Sequence, residues 1–401
     1  MKKKYLSLLL SLVLLLMNLL GCSGGNKSTV SDDSNENKII KIGVYEPLTG
    51  NDGGGGYQEV LGIKYANEIY KTIEINGETY TIELDIQDNE SDKTKGVRAA
   101  NKLVADKCVG ILGSYGSGVS IAAGQIFKSA KIPAIGCSCT NPLVTSGNEY
   151  YFRTCFLDPF QGTVMANYVK KHGYSKVAIL TALGEDYSSG LGSFFKSACE
   201  KLGIDVVAEE VFQKDAQDFH AQLTNIKNAN PDFVFAPSSI VAAPLILEQG
   251  KGDLGITAQF GGGDTWENGT IIDNAHGHAE GIVLTTFYDE NSDATDEGNI
   301  FLRGNGKLTG FSDYLVSNKQ PEIIPAVSAL GYDAYIAMYK AIEKAQSLKG
   351  EDIKNALNDL SFTGVTGDIK FNQDGDAIKN SAYIKEVEKG RFVFKEISSI
   401  E

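Results

Sequence analysis

The side chains that could do chemistry in this sequence are those of recognition rather than bond-making. Asp264 stands in Gly261-Gly262-Gly263-Asp264-Thr265-Trp266, where glycines let another molecule approach the backbone closely. Ser117 follows a short apolar strand pattern and opens a helix, so its hydroxyl and the neighbouring N–H groups face the carboxyl end of a strand. Ligands of doubly wound sheets bind at such ends, and helix N-termini there suit an anion. The same serine would also serve as an ordinary N-cap. Ser138 and Thr140 follow a second strand pattern, where Thr140-Asn141-Pro142 is equally plain turn chemistry. Tyr187 lies between a strand and a helix, either at a cleft or as a core anchor with its hydroxyl at the surface.

Catalytic constellations are missing. The sequence holds no H-E-x-x-H, no GxxxxGK[ST] and no G-x-G-x-x-G after a strand. Gly21-Cys22-Ser23-Gly24-Gly25 fits G-x-S-x-G in letters, but no strand precedes it and no helix follows. His172, His220, His276 and His278 fall in polar stretches, and His276-Gly277-His278 lacks further ligands at metal-binding spacing. Besides Cys22 there are Cys108, Cys137, Cys139, Cys155 and Cys199, an odd number that does not make a disulfide framework. Cys137-Ser138-Cys139 has no supporting Cys or His either, so these thiols are expected to be structural or to line a pocket. A protein without catalytic centre, metal or cofactor is the expectation.

Composition narrows the partners. The 401 residues carry 37 Lys+Arg against 51 Asp+Glu, a net charge of -14, which offers no field for nucleic acid. A chain of this length outgrows a single core, and its 44 glycines against 9 prolines fit many tight strand-to-helix turns. At the N-terminus, Lys2-Lys3-Lys4 precedes an apolar run over 6–20, the pattern of a secretory signal. Residues 23–38 are almost wholly polar and cannot bury enough surface to fold, so 22–38 is expected to be a flexible leash spanning roughly 22 Å.

The elements that must position the candidate residues come in two series. Strand patterns at 40–44, 80–86, 109–112 and 132–135 alternate with helical patterns at 57–70, 92–106 and 117–130. A second series places strands at 177–180, 204–207, 233–236 and 281–287 around helices that use Leu191, Phe194, Phe195, Ala198, Leu202, Leu223 and Ile226. A helix at 332–345 and a terminal hairpin around Glu388-Lys389-Gly390 follow. Repeated β-α units with short apolar strands predict parallel sheets with helices on both faces. The expected fold class is therefore α/β, two doubly wound lobes with a ligand cleft between them.

Ile42-Gly43-Val44 with Pro47-Leu48-Thr49-Gly50, then Thr140-Asn141-Pro142, resembles the branched-chain amino-acid binding proteins of ABC importers. Phe152-Arg153-Thr154, Asp158-Pro159-Phe160-Gln161-Gly162, Ala279-Glu280-Gly281, Ala329-Leu330-Gly331-Tyr332-Asp333 and Gly364-Val365-Thr366-Gly367 look like that family in the same order. The resemblance runs from about 39 to 394 and implies a type I periplasmic-binding-protein fold with three crossovers, near 157, 286 and 382. It implies a lobe of 39–157 plus 287–381 and another of 158–286 plus 382–401. Leu19-Leu20-Gly21-Cys22 resembles a lipobox, which implies a lipoprotein signal over 1–21 and a lipid on Cys22.

The same resemblance implies that Ser117, Ser138 and Thr140 bind a ligand carboxylate, that Asp264 receives its ammonium, and that Tyr187 closes over it. It implies an extracytoplasmic, monomeric partner of ABC permease subunits, tethered to the membrane by Cys22 and capturing an amino acid. Gly55 and Ser239 stand where relatives place tyrosines, which predicts a roomier wall suited to Leu, Ile or Phe unless Tyr57 or Tyr332 fills the space. A binder of an amide, urea or aromatic acid, a sugar binder using Trp266 as platform, and a sensory receptor domain are the competing expectations.

Overall fold

The computed structural model describes residues 38–399 apart from 293 and 322; the apolar N-terminal run, Cys22 and the rest of the segment to 37 lie outside the described residues. The chain opens with β1 (Lys38–Glu46), α1 (Gly53–Ile69), the hairpin β2 (Thr72–Ile75) and β3 (Glu78–Asp88), and α2 (Lys93–Ala105). It continues through β4 (Gly110–Leu112), α3 (Ser117–Ala130), β5 (Ala134–Gly136) and β6 (Tyr151–Arg153). These strands form one sheet in the order β2-β3-β1-β4-β5-β6, parallel except for the β2 edge. Ile40, Ile42 and Val44 of β1 are buried, and β1 lies between β3 and β4 with helices covering the sheet.

The second lobe follows with α4 (Asp158–Lys171), β7 (Lys176–Leu183), α5 (Asp186–Leu202), β8 (Asp205–Gln213), α6 (His220–Ala229) and β9 (Phe233–Phe235). Next come α7 (Ala242–Leu247), β10 (Gln259–Gly262), α8 (Gly269–Asn274) and β11 (Val283–Thr286). The chain then returns to the first lobe as α9 (Asp296–Arg303), α10 (Phe311–Ser317), α11 (Ala326–Ala345), α12 (Gly350–Asn358) and the small hairpin β12 (Ser361–Gly364) and β13 (Gly367–Lys370). It ends in β14 (Ser381–Glu388) and β15 (Arg391–Ser399). The second sheet has the order β15-β14-β11-β10-β9-β7-β8, parallel from β11 to β8 and antiparallel at the terminal hairpin.

Local differences from the sequence pattern have physical causes. Helix α1 begins at Gly53, four residues before the apolar periodicity starts at Tyr57, because the first turn is all glycine and offers no side chains to read. Strand β10 escaped the pattern because Phe260 is its one large apolar residue before the glycines. Helices α9 and α10 are short amphipathic pieces whose Phe301, Phe311 and Tyr314 surround Tyr65 of α1, with Tyr332 of α11 completing the aromatic cluster.

Chain order fixes where ligands can sit. Strand β1 leads to β3 on one side and β4 lies on its other side; β7 likewise has β8 on one side and β9 on the other. Each sheet thus has a point where successive connections diverge, leaving a crevice at the strand carboxyl ends.

The cleft and its candidate ligand site

The loops that leave those two crevices face each other. From the first lobe come Asn51 and Asp52 after β1, and Tyr115, Gly116 and Ser117 after β4, with Ser138 after β5. From the second come Ala182, Glu185, Tyr187 and Ser188 around the β7–α5 turn, Phe212 and Lys214 at the end of β8, Ser239 after β9, and Asp264 and Thr265 after β10. They enclose about 550 Å3, part of it open to solvent.

The lobes are closed on one another. Lys93 Nζ meets Asp186 at 2.6 Å, Lys214 Nζ donates to Ser91 O at 3.1 Å, and Asn51 donates to Asp215 at 3.1 Å. Asn141 Nδ2 donates to the Asp186 carbonyl at 2.7 Å, and Asn268 to Gln58 at 3.2 Å.

Ser117 is the first residue of α3, not its cap: Gly116 occupies that position and no side chain caps the helix. The Ser117 hydroxyl instead accepts the Asn141 N–H at 3.2 Å and ties the β4 loop to the β5 loop. The uncapped first turn of α3 therefore brings orphan N–H groups and a positive dipole end to the cleft wall. Across the cleft, Asp264 is 2% exposed. Its Oδ1 accepts from Gln161 Nε2 at 2.8 Å and from the Tyr187 hydroxyl at 3.0 Å. Burial pushes the Asp264 carboxyl up to about 6, against the pull of those two donors. A side chain at Gly263 would collide with the Tyr187 hydroxyl, so the glycine lets Tyr187 reach the carboxylate.

Ser138 lines the cleft, and its hydroxyl donates to Glu59 of α1. Glu59 lies beside Glu46 and Cys137, all three buried with ligand-capable atoms within 4.8 Å of one another. Glu46 in turn accepts the Tyr115 N–H at 2.6 Å. Burial and the neighbouring carboxylate hold Glu46 far above the ordinary range, and burial raises Glu59 as well, so the pair retains a proton near neutrality. A proton shared by the two carboxyls lets one donate to the other, which relieves a pair in which Glu46 Oε1 and Glu59 Oε2 otherwise have no donor. A protonated pair behind the wall needs no ion.

Thr140 is the candidate that does not line the cavity. It is wholly buried behind the wall. Asp158, at the start of α4, is buried beside it; burial pushes the Asp158 carboxyl up to about 8, while the Thr140 hydroxyl, its hydrogen-bond partner, pulls the other way. The loop carrying Thr140 is clamped by Arg153, which is fully buried on β6. Its guanidinium donates to Cys139 O at 2.8 Å, Asn141 O at 2.6 Å and Thr145 Oγ1 at 2.8 Å, and pairs with Asp376 at 2.6 Å.

The wall corrects the expectation built on Gly55. A Cβ there would lie 2.5 Å from the Tyr115 ring, so a tyrosine from the β4 loop already occupies the space. Neither Tyr57 nor Tyr332 fills it; Tyr332 is in the lobe core with its hydroxyl on Glu297 at 2.9 Å. Ser239 does line the cavity, while its Oγ accepts the Ala242 N–H at 3.3 Å. Trp266 is fully buried with its indole N–H on Ser238 Oγ at 3.1 Å, so it offers no platform for a sugar. Cys137 and Cys139 are buried free thiols, like the other three described.

Tyr115, Asp52, Glu185, Lys214, Phe212 and Gln161 are lining or supporting residues that sequence reasoning missed. Gln161 had a signal in Asp158-Pro159-Phe160-Gln161-Gly162 and Glu185 in Glu185-Asp186-Tyr187; the others follow only from which loops converge.

Residues 39–391 match the family model described as "Periplasmic binding protein". The Leu/Ile/Val-binding protein homolog 1 of Brucella abortus (strain 2308) is 30% identical over 341 residues, covering 84% of this chain and 87% of its own. The crystal structure of a leucine binding protein, LivK, from Thermotoga maritima superimposes with a TM-score of 0.82 at 31% identity, covering 90% of this chain and 99% of that one. The branched-chain amino acid transporter substrate binding protein LivJ from Streptococcus pneumoniae, solved with isoleucine, gives 0.79 at 26% identity over 90% of this chain and 99% of its own.

Proposed function

As the chain belongs to the periplasmic binding protein family, we propose that it is the solute-binding component of an ABC importer and captures a free α-amino acid between its lobes. Proteins of this family act outside the cytoplasm and bind solutes for transport rather than transform them. No helix among the described residues is long and apolar enough to cross a membrane.

The observation that carries the amino-acid reading is the opposition of two groups across one cleft: the uncapped α3 terminus with Ser117, and the desolvated carboxylate of Asp264. The first suits a carboxylate and the second an ammonium, the two groups an α-amino acid holds on one carbon. In this reading Ser138 and the Thr140 loop hold the carboxylate from the β5 side, and Tyr187 covers the ligand from the second lobe. Closure is a population shift: the ligand bridges the lobes and adds to contacts such as Lys93–Asp186 that only the closed state makes. The moving bodies are 39–157 plus 287–381 and 158–286 plus 382–401.

The lipobox-like Leu19-Leu20-Gly21-Cys22 supports a lipid tether on Cys22, with 22–38 as leash and a monomeric binding domain delivering to permease subunits. Cys22→Ala in the full chain tests this: the protein should leave the membrane fraction or remain unprocessed, and wild-type fractionation would refute the tether. The binding reading is tested by thermal shift on ligand-stripped protein across the α-amino acids. A ligand at a hundredfold its Kd should stabilise by about 2.7 kcal/mol. Absence of any stabilisation, with aromatic acids or amides acting instead, would overturn it.

A further inference from the structure

Part of the cleft is built for something other than a hydrocarbon. Where Asp52, Glu185 and Lys214 meet, the cleft runs on into a small cavity lined also by Pro47, Asn89, Ser91 and Lys93, which neither Asp264 nor Ser138 reaches. Asp52 occupies the N-cap of α1, where an aspartate ordinarily accepts from a first-turn N–H. Here its side chain makes no capping bond. Its Oδ1 takes one long hydrogen bond, from Ile240 N–H at 3.3 Å, and no ion pair involves it among the described residues. Lys214 is already engaged, with Glu185 at 2.6 Å and Ser91 O at 3.1 Å. A carboxylate has about four acceptor sites, and Asp52 is half-buried and lines both the cleft and the small cavity, so sites remain open to whatever occupies the cleft.

Burial and the Glu185 charge push the Asp52 carboxyl up to about 6, while the Ile240 N–H and the Lys214 charge pull the other way and the residue stays half-buried. Tyr115, Phe212 and Ala182 are apolar residues in the lining of the main cleft. An all-carbon side chain packed between them and Asp52 would displace water from the carboxylate and return no hydrogen bond, which is the costly way to bury a polar group.

We propose that Asp52 is a specificity-determining residue that accepts a hydrogen bond from the tip of the ligand side chain, so that the cleft prefers an α-amino acid whose apolar stem ends in an amide or ammonium over Leu, Ile or Val. This rests on the α-amino-acid reading above. The shared chemistry is a terminal N–H donor; glutamine and ornithine separate the neutral from the charged source.

Isothermal titration of ligand-stripped protein with glutamine, ornithine, leucine and methionine tests it. Glutamine or ornithine should bind about tenfold or more tighter than leucine, the span of one desolvated hydrogen bond to a charged group. In Asp52→Ala that ratio should shrink by about tenfold. Asp52→Asn, which keeps an acceptor for Ile240 N–H, should lose preference for ornithine more than for glutamine. A wild type that favours leucine, or an Asp52→Ala variant that weakens all four ligands alike, overturns the assignment and leaves the amino-acid reading standing. Binding of none of the α-amino acids overturns both.

Discussion

Asp264→Asn should make the empty protein more stable and the binding weaker, and the two changes have one cause. The folded protein raises the Asp264 carboxyl from 3.8 to about 6, chiefly because the group is buried. At ~1.4 kcal/mol for each tenfold, keeping it ionised at pH 7.5 costs about 3 kcal/mol of folding free energy. Asparagine removes the charge, and its carbonyl oxygen can still accept from Gln161 Nε2 and the Tyr187 hydroxyl. The apo variant should therefore gain up to about 3 kcal/mol at pH 7.5. A carboxyl whose folded pKa is raised holds its proton more tightly in the folded state. Its favourable contribution is complete below about 4 and is lost as pH rises through about 6. The gain should accordingly shrink at pH 5, where the folded wild type is largely protonated too. Affinity should move the other way, down about tenfold or more, because a charge-assisted bond to the ligand ammonium is lost. Urea unfolding at pH 5 and 7.5, with isothermal titration at pH 7.5, reads both. An asparagine variant that is less stable at both pH values, or that binds as tightly as wild type, would show that Asp264 is not a strained carboxylate awaiting a cation.

Arg153→Ala should destabilise the fold by about 3–5 kcal/mol, since it leaves Asp376 buried and four acceptors of the Cys139–Thr145 segment without their donor; urea midpoints measure it. Gly55→Ala should change stability by no more than about 1 kcal/mol, because helix propensity offsets crowding, while the Tyr115 ring yields into the cavity and ligand affinity falls. Equal affinities by titration would place the ring outside the wall. Lys93→Ala should weaken ligand binding by at most about fivefold, with less effect in high salt, as expected for an exposed pair made only on closure.

What the sequence determined by itself is what periodicity and local chemistry can encode. Short apolar strands alternating with amphipathic helices specify two α/β series, because a helix crossover joins parallel strands and buries both sheet faces. The ordered motifs from Ile42 to Gly367 carried the family, and Ser117, Ser138, Tyr187 and Asp264 were legible as residues at strand ends beside turns. Their convergence was not. Which β-α turns meet depends on strand order, with β1 between β3 and β4 and β7 between β8 and β9, and no local pattern states that order. The same reason hid Asp52, which reads as a helix cap from its neighbours and only across the cleft meets Ile240, Glu185 and Lys214. It also reversed the inference from Gly55, since the ring that fills its space comes from a residue 60 positions along the chain. Sequence sets the identity of each group locally, whereas the volume and charge of a cleft are sums over segments that only tertiary packing brings together.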